Sequence, residues 1–341
     1  MKALKRTLLT AAALFMPICA ADAGASDLEI TGFVDASLAD TEFTTSGFEV
    51  EEVELDFFKK LGERTSLRAD INYRAEDAKT DDLSFDDIVE QGYVTYTAPV
   101  GDGLEFTFGK FNAPIGFELL DPVDMYQYSH ALVFNYGVPT NVTGLMGAYA
   151  FGEVVDIVLY VVNGWDNNID DNDSRTVGGR LGITPVKDVN IGFSAISGAE
   201  KTGNSDDRRT VYDVDFSVTA VPNLLIGGEL NIGSEEKASA VTAGDDAEWL
   251  AGLLMVHYDF TDFAGLTLRY DYFDDKDGAR LGSGVKETRQ AYTIAPTFSV
   301  GDHTHIVVEY RRDKSDAKVF GPAGAMQDKM DSAAVRLTYA F

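Results

Sequence analysis

Leu67-Arg68-Ala69-Asp70-Ile71-Asn72-Tyr73-Arg74-Ala75-Glu76 alternates without a break. Leu67, Ala69, Ile71, Tyr73 and Ala75 fall on one side, and Arg68, Asp70, Asn72, Arg74 and Glu76 on the other. A side-chain period of two is the signature of an extended strand whose faces meet different surroundings. Val211–Ala220 repeats the pattern, with Tyr212, Val214, Phe216, Val218 and Ala220 set against Asp213, Asp215, Ser217 and Thr219. Either stretch alone also suits a soluble antiparallel sheet with one wet face. From Leu28 onward no segment shows a comparable period of 3.6.

The number of such segments and the way they are joined separate the two readings. The alternation predicts sixteen strands, at 28–40, 48–59, 66–76, 88–98, 104–111, 143–151, 154–163, 176–184, 189–196, 209–220, 224–232, 248–259, 266–274, 287–299, 305–313 and 330–341. Short connections lie near Leu61-Gly62 and at Pro99–Gly103, Gly152-Glu153, Pro185–Asp188, Val221–Asn223, Thr261–Gly265 and Gly301–Thr304. Long, polar and acidic connections lie at Asp77–Asp87, Asn163–Ser174, Ser197–Asp207, Gly233–Asp246, Asp275–Gly284 and Ser315–Asp328. Short turns at one end and long loops at the other is the arrangement of a transmembrane antiparallel β-barrel of the outer-membrane type. A soluble sandwich has no reason to sort its loops by parity. An even strand count puts both termini on the short-turn side.

The two ends of the chain agree with this. Lys2, Lys5 and Arg6 precede the apolar Leu8–Cys19, and Ala21-Asp22-Ala23 has the form of a cleavage site, so residues 1–23 read as a signal peptide and 24–341 as the barrel. Ile18 stands where a lipoprotein has a small residue, and Cys19 is the sole cysteine, so the mature chain needs no disulfide. At the other end Val335, Leu337, Tyr339 and Phe341 alternate with Arg336, Thr338 and Ala340, and the chain ends on an aromatic residue. This looks like the last-strand signal of bacterial outer-membrane proteins. Tyr73, Tyr96, Phe151, Phe193, Tyr212, Tyr258, Tyr272 and Tyr339 suit interfacial girdles.

Composition narrows the function. Of 341 residues, 45% are hydrophobic and 25% charged, which excludes a disordered chain and a helical membrane protein. The longest apolar run, Ile157–Val162, is far below the roughly 20 residues of a membrane helix. A net charge of −28 lacks the basic footprint of a nucleic-acid partner. Removing Lys2, Lys5, Arg6 and Asp22 with the signal peptide leaves the mature chain two units more negative.

One connection differs from the rest. Asn112–Val142 carries Ile115, Phe117, Leu119, Leu120, Val123, Met125, Tyr126, Leu132, Val133, Phe134 and Tyr136. On an outer surface it would form a sticky patch; folded inward as the third loop, it narrows the lumen. Gly109-Lys110-Phe111-Asn112-Ala113-Pro114-Ile115-Gly116-Phe117-Glu118, the following Asp121–Tyr128 and Val162-Asn163-Gly164-Trp165-Asp166 resemble the OmpL-like outer-membrane porins, β-barrel porin family 2, with similarity to phosphate-selective porins. The resemblance implies a passive outer-membrane diffusion channel and carries no particular solute with it.

No catalytic or cofactor constellation stands out, so the chain does not read as an enzyme. Of His130, His257, His303 and His305, the last two flank a short turn and read as turn residues, and His130, in the inward loop, has no Ser–Asp arrangement at catalytic spacing. Glu118, Asp121 and Asp124 have the chemistry of an acid and base but read better as solvated or channel-lining loop carboxylates. Asp166, Asp170, Asp171 and Asp173 have oxygen ligands for Ca²⁺ but read better as an exposed acidic loop, and no metal site is assigned. Alternation places Arg68, Arg74, Arg180, Arg269, Arg311, Arg336, Asp70, Asp213, Asp215, Glu229, Asp271 and Glu309 in the lumen, with Lys110 at the base of the inward loop. Arg311, Arg336, Arg68 and Arg74 share one sector once the barrel closes, and the loop supplies Glu118, Asp121 and Asp124. A transverse field between loop acids and arginine wall is the expected constriction. The partners expected are outer-membrane lipid, lipopolysaccharide and small hydrophilic solutes, with monomer and homotrimer both open. The competing reading is a structural or adhesive barrel with a plugged lumen, its acidic loops bridged to lipopolysaccharide by divalent ions.

Overall fold

The computed structural model describes residues 27–75 and 85–341. The signal-peptide expectation for 1–23 and most of the Asp77–Asp87 connection lie outside these residues. Sixteen strands run β1 (Glu29–Thr41), β2 (Thr44–Lys60), β3 (Thr65–Arg74), β4 (Val89–Ala98), β5 (Leu104–Asn112), β6 (Asn141–Phe151), β7 (Val155–Val162), β8 (Thr176–Val186), β9 (Val189–Lys201), β10 (Asn204–Val218), β11 (Leu224–Glu235), β12 (Ala247–Thr261), β13 (Ala264–Asp275), β14 (Glu287–Val300), β15 (Thr304–Ser315) and β16 (Lys329–Ala340). A helical turn, α1 (Phe85–Ile88), precedes β4, and α2 (Leu132–Gly137) lies between β5 and β6. Neither is long enough to cross a membrane. Each strand pairs antiparallel with its sequence neighbours, and β1 pairs with β16 to close the sheet.

Closure is completed by the last residue. The Phe341 amide donates to the Gly32 carbonyl at 3.0 Å, and the Gly32 amide donates back to Phe341 at 3.2 Å. No room exists for a side chain at position 32, because a Cβ there would meet the Glu54 carbonyl at 2.3 Å.

The faces are inverted relative to a soluble protein. Outward positions are apolar and exposed, among them Val214, Leu230, Ile232, Leu254, Leu268 and Leu337. Inward positions are charged or polar and buried, among them Asp35, Asp70, Asp213, Asp215, Glu229, Asp271 and Glu309. So wide an apolar exterior fits lipid as the outer solvent. Of the expected girdle residues, Tyr73, Tyr96, Phe151, Phe193, Tyr212, Tyr258 and Tyr339 are exposed, and Tyr272 is half-buried.

One connection departs from the sequence-based expectation. Ser197–Asp207 is not a long loop: β9 and β10 continue to Lys201 and Asn204, leaving Thr202-Gly203 as a tight turn. Gly203 takes φ +69°, and a register shift between Asn204 and Arg208 absorbs the extra residues. This ladder is polar on both faces, so hydrophobic alternation does not mark it.

Two outcomes are expected. Val214 is 39% exposed on the lipid side of β10, so Val214→Arg should destabilise the folded barrel by about 2–4 kcal/mol, whereas Val214→Ile should not; heat-modifiable gel mobility measures both. Deleting Phe341 removes the closing pair with Gly32 and should slow insertion into liposomes, followed by the gain of protease resistance.

Candidate functional site

The connection from β5 to β6 enters the barrel, and its path begins at two glycines. Gly109 lies within β5 at φ +139°, where a Cβ would strike the Gly92 carbonyl at 2.1 Å. Gly116, at φ +89°, turns the chain into the lumen, and a Cβ there would press on the Glu229 carboxylate. The Phe117 amide then donates to Glu229 Oε2 at 2.8 Å. Its ring covers Gly227 on β11, where any side chain would collide with it.

Glu118 is the centre of the loop's attachment. Its carboxylate accepts from Arg269 Nη1 at 2.7 Å, from Gln127 Nε2 at 2.7 Å and from the Ala131 amide at 2.7 Å. His130 Nδ1 stands 3.4 Å away. Burial alone would raise this carboxyl, but Arg269 and then His130 outweigh it and hold it down at about 2.

Beyond Glu118 the wall grips mainly the loop's backbone. Arg269 donates to the Ser129 carbonyl at 2.6 Å, Arg311 to the His130 carbonyl at 2.8 Å, and Arg336 to the Gln127 carbonyl at 3.3 Å. Thr267 Oγ1 donates to the Tyr126 carbonyl at 2.7 Å. In the reverse sense, Glu309 accepts from the Tyr128 and Ser129 amides. The Arg336 guanidinium also lies 4.8 Å over the Tyr128 ring and pairs with Asp35 at 3.1 Å.

Apolar packing holds the rest. Leu132, Val133 and Phe134 of α2 are buried in one cluster with Trp249, Ala251, Leu253 and Met255 of β12 and Phe273 of β13. Val158, Tyr160 and Val162 of β7 belong to the same cluster. At the exit, Asp166 Oδ1 accepts from the Thr140 amide and hydroxyl and the Asn141 amide, at 2.8–2.9 Å. Asp170 pairs with Arg175, and Asp171 accepts from Thr202 at 2.7 Å. Asp166 and Asp171 thus fasten loops to one another, and Asp170 ties its own loop together.

The residues expected at a constriction divide into two groups. Glu118, Arg311 and Arg336 come together, but as the clasp of the loop; they do not face each other across water. A field set between loop acids and an open arginine wall is therefore corrected at these positions: the arginines are buried against the loop. Asp121 has acids for neighbours. Burial raises its carboxyl well above the usual range, and Glu90, Asp124, Glu52 and Asp56 push the same way. Arg68 pairs with Asp70 at 2.8 Å and Asp56 at 3.5 Å. Arg74 lies beside Glu52 and Glu90, and Lys110 Nζ donates to the Val89 carbonyl at 2.8 Å. Arg311, Arg336, Arg68 and Arg74 stand on β15, β16 and β3, and Asp35, Glu52 and Glu54 on the intervening β1 and β2 lie between them.

Glu229, Arg269 and Glu309, which alternation placed in the lumen, serve as loop anchors, and Asp166, read as part of an exposed acidic loop, is the exit clamp. Trp249 and Phe273, the apolar seat, were passed over by the sequence reading. Cavities flank the loop. One of about 300 Å³ is lined by Tyr128, His130, Asn135, Glu309 and Arg311. Another, of about 100 Å³, lies along β4–β9 between Tyr93, Thr107, Asn112, Asp156, Arg180 and Asn190.

Comparison with known proteins places this architecture. The profile of a family described as "Putative beta-barrel porin-2, OmpL-like" matches residues 65–341. No curated protein matches the chain. Among solved structures, the anion-selective porin from Comamonas acidovorans is similar at TM-score 0.66 and 12% identity, over 93% of this chain and 100% of that one. The outer membrane channel DcaP of Acinetobacter baumannii is similar at 0.65 and 13%, over 93% and 98%. The trimer form of the Vibrio cholerae outer membrane protein OmpT is similar at 0.62 and 12%, over 94% and 100%.

The Glu118 anchor yields a further expectation. Breaking a buried pair by removing one partner costs about 3–5 kcal/mol. Glu118→Gln and Arg269→Met should each lower the thermal midpoint in detergent, and the double variant should lose less than the sum. Its carboxyl ordinarily titrates near 4.5. A depressed folded value means that its contribution is full above that pH and fades as pH falls toward 2. The gap between wild type and Glu118→Gln should therefore narrow between pH 5 and about 2.

Proposed function

Because this chain belongs to the OmpL-like putative β-barrel porin-2 family, we propose that it is a passive outer-membrane diffusion channel for small hydrophilic solutes or ions. The observation that carries the reading is a polar-lined closed barrel with a loop pinned across its interior and cavities on both sides of it. A fixed loop narrows a lumen without an energy source, and charged groups around the narrowing set selectivity. The role is one of transport and not of catalysis. The chain is exported by its signal peptide and seated in outer-membrane lipid, with lipopolysaccharide around its acidic loops. Homotrimer formation fits a sixteen-stranded barrel and is checked by native mass measurement in detergent.

The constriction of this proposal is formed by Asp121, Asp124, Arg68, Arg74 and Lys110, with Glu118, Arg311 and Arg336 setting the loop's position. Acidic outer loops concentrate cations within a Debye length of about 8 Å, and the narrow zone mixes both signs. The channel should prefer cations weakly.

Planar-bilayer recordings test both statements. Steady single-channel steps are expected, and silence from folded protein would favour the plugged adhesive barrel. In a KCl gradient the reversal potential should indicate a modest cation preference. Asp124→Asn should move it toward anions. A clear anion preference that disappears in Arg68→Ala/Arg74→Ala would reverse the assignment and give the arginines control.

A further inference from the structure

Glu52 and Glu54 of β2 and Glu90 of β4 each offer a carboxylate oxygen, and these atoms lie within 4.8 Å of one another. Glu54 is only 1% exposed, and among the described residues no hydrogen-bond donor reaches either of its oxygens. At least one of them lies close to an oxygen of each of two other carboxylates. Glu90 Oε1 and, from the inward loop, Asp121 Oδ1 are likewise buried without a donor. The polar support present is one-sided. Asn72 Nδ2 donates to Glu52 at 3.0 Å and to Glu90 at 2.8 Å. Arg74 is the cation beside Glu52 and Glu90. The charged groups that weigh most on Glu54 are all acids: Asp121, Glu90, Asp56 and Glu52.

Buried like charges at such separations require compensation, by protons or by a cation. Several acids against one arginine leave a surplus that a single monovalent partner does not cancel. The donor set is all oxygen, with no histidine or cysteine, which suits a hard cation and disfavours zinc or copper. Acids from two strands and a loop can approach one ion from different directions, as the irregular coordination of Ca²⁺ permits.

We propose that Glu52, Glu54 and Glu90, with Asp121 from the inward loop, form a divalent-cation site that takes Ca²⁺. The ion fastens the loop to the β2–β4 wall. It thereby complements Arg269, Arg311 and Arg336, which hold the loop to β13, β15 and β16.

The test uses the full-length folded protein in detergent, stripped with chelator and titrated with CaCl₂ by calorimetry, with bound calcium counted by elemental analysis. Wild type should bind one Ca²⁺ more than Glu54→Gln, whose affinity at this site should fall at least about tenfold. Asp245→Asn, which removes an exposed loop carboxylate, should leave that ion in place and so separates the site from diffuse binding by the acidic loops. Calcium should raise the thermal midpoint of wild type and not that of Glu54→Gln. If Glu54→Gln does not fold, Glu90→Gln replaces it. Equal calcium content in wild type and folded variant, or stabilisation of both alike, would overturn the proposal and assign the charge balance to protons. Binding is read on the folded barrel whether or not it conducts, so failure here is distinct from failure of the channel reading.

Discussion

A strand in lipid has no water to satisfy its backbone, so every amide and carbonyl must find a partner within the sheet. That constraint governs the molecule. It requires the β1–β16 seam, and the Phe341–Gly32 exchange completes the seam at its last residue. It also frees the sequence from building a conventional core between layers. With apolar side chains turned outward, what would be the wet face of a soluble sheet becomes the interior, and an interior lined by Asp, Glu and Arg must itself be satisfied. The chain does so with its own third loop.

That loop is unusual in how completely it is attached. Its apolar half sits on a patch of the lumen wall, and its polar half is threaded among arginines and glutamates. Glu118 links the two halves, because the same carboxylate takes a wall arginine, a loop side chain and the amide that precedes α2. Charges in such a place are stable only when paired, which is why Arg269 is matched by Asp271 as well as Glu118. The wall and the loop thus neutralise each other, and cavities remain on both sides of the loop.

The strands and their order were legible because alternation reports two solvents of opposite polarity. Where only one solvent surrounds the ladder, as at Ser197–Asp207, the signal vanishes and the hairpin reads as a loop. The inward course of Asn112–Val142 was legible from its apolar content, but its seat was hidden in a pattern that resembles noise. Ile157–Val162 and Trp249–Val256 are apolar on both faces. One face of each meets lipid, and the inner face of each contributes to the cluster beneath the loop. Such double-faced strands in an otherwise alternating barrel mark where something packs inside. The clasp was not legible, because the pairing of Glu118 with Arg269 joins positions 151 apart, and alternation states only that each faces inward.

Most of the wall's grip falls on the loop's peptide groups. Arg269, Arg311, Arg336 and Arg280 donate to carbonyls of Ser129, His130, Gln127 and Tyr136, while Glu229 and Glu309 accept from amides of Phe117, Tyr128 and Ser129. Peptide groups are common to nearly every residue type. The fixture is therefore indifferent to many of the side chains it carries, and mutation can rewrite what those side chains present to the lumen without moving the segment that presents them. A lineage can alter what it admits in single steps, each made on an unmoved frame.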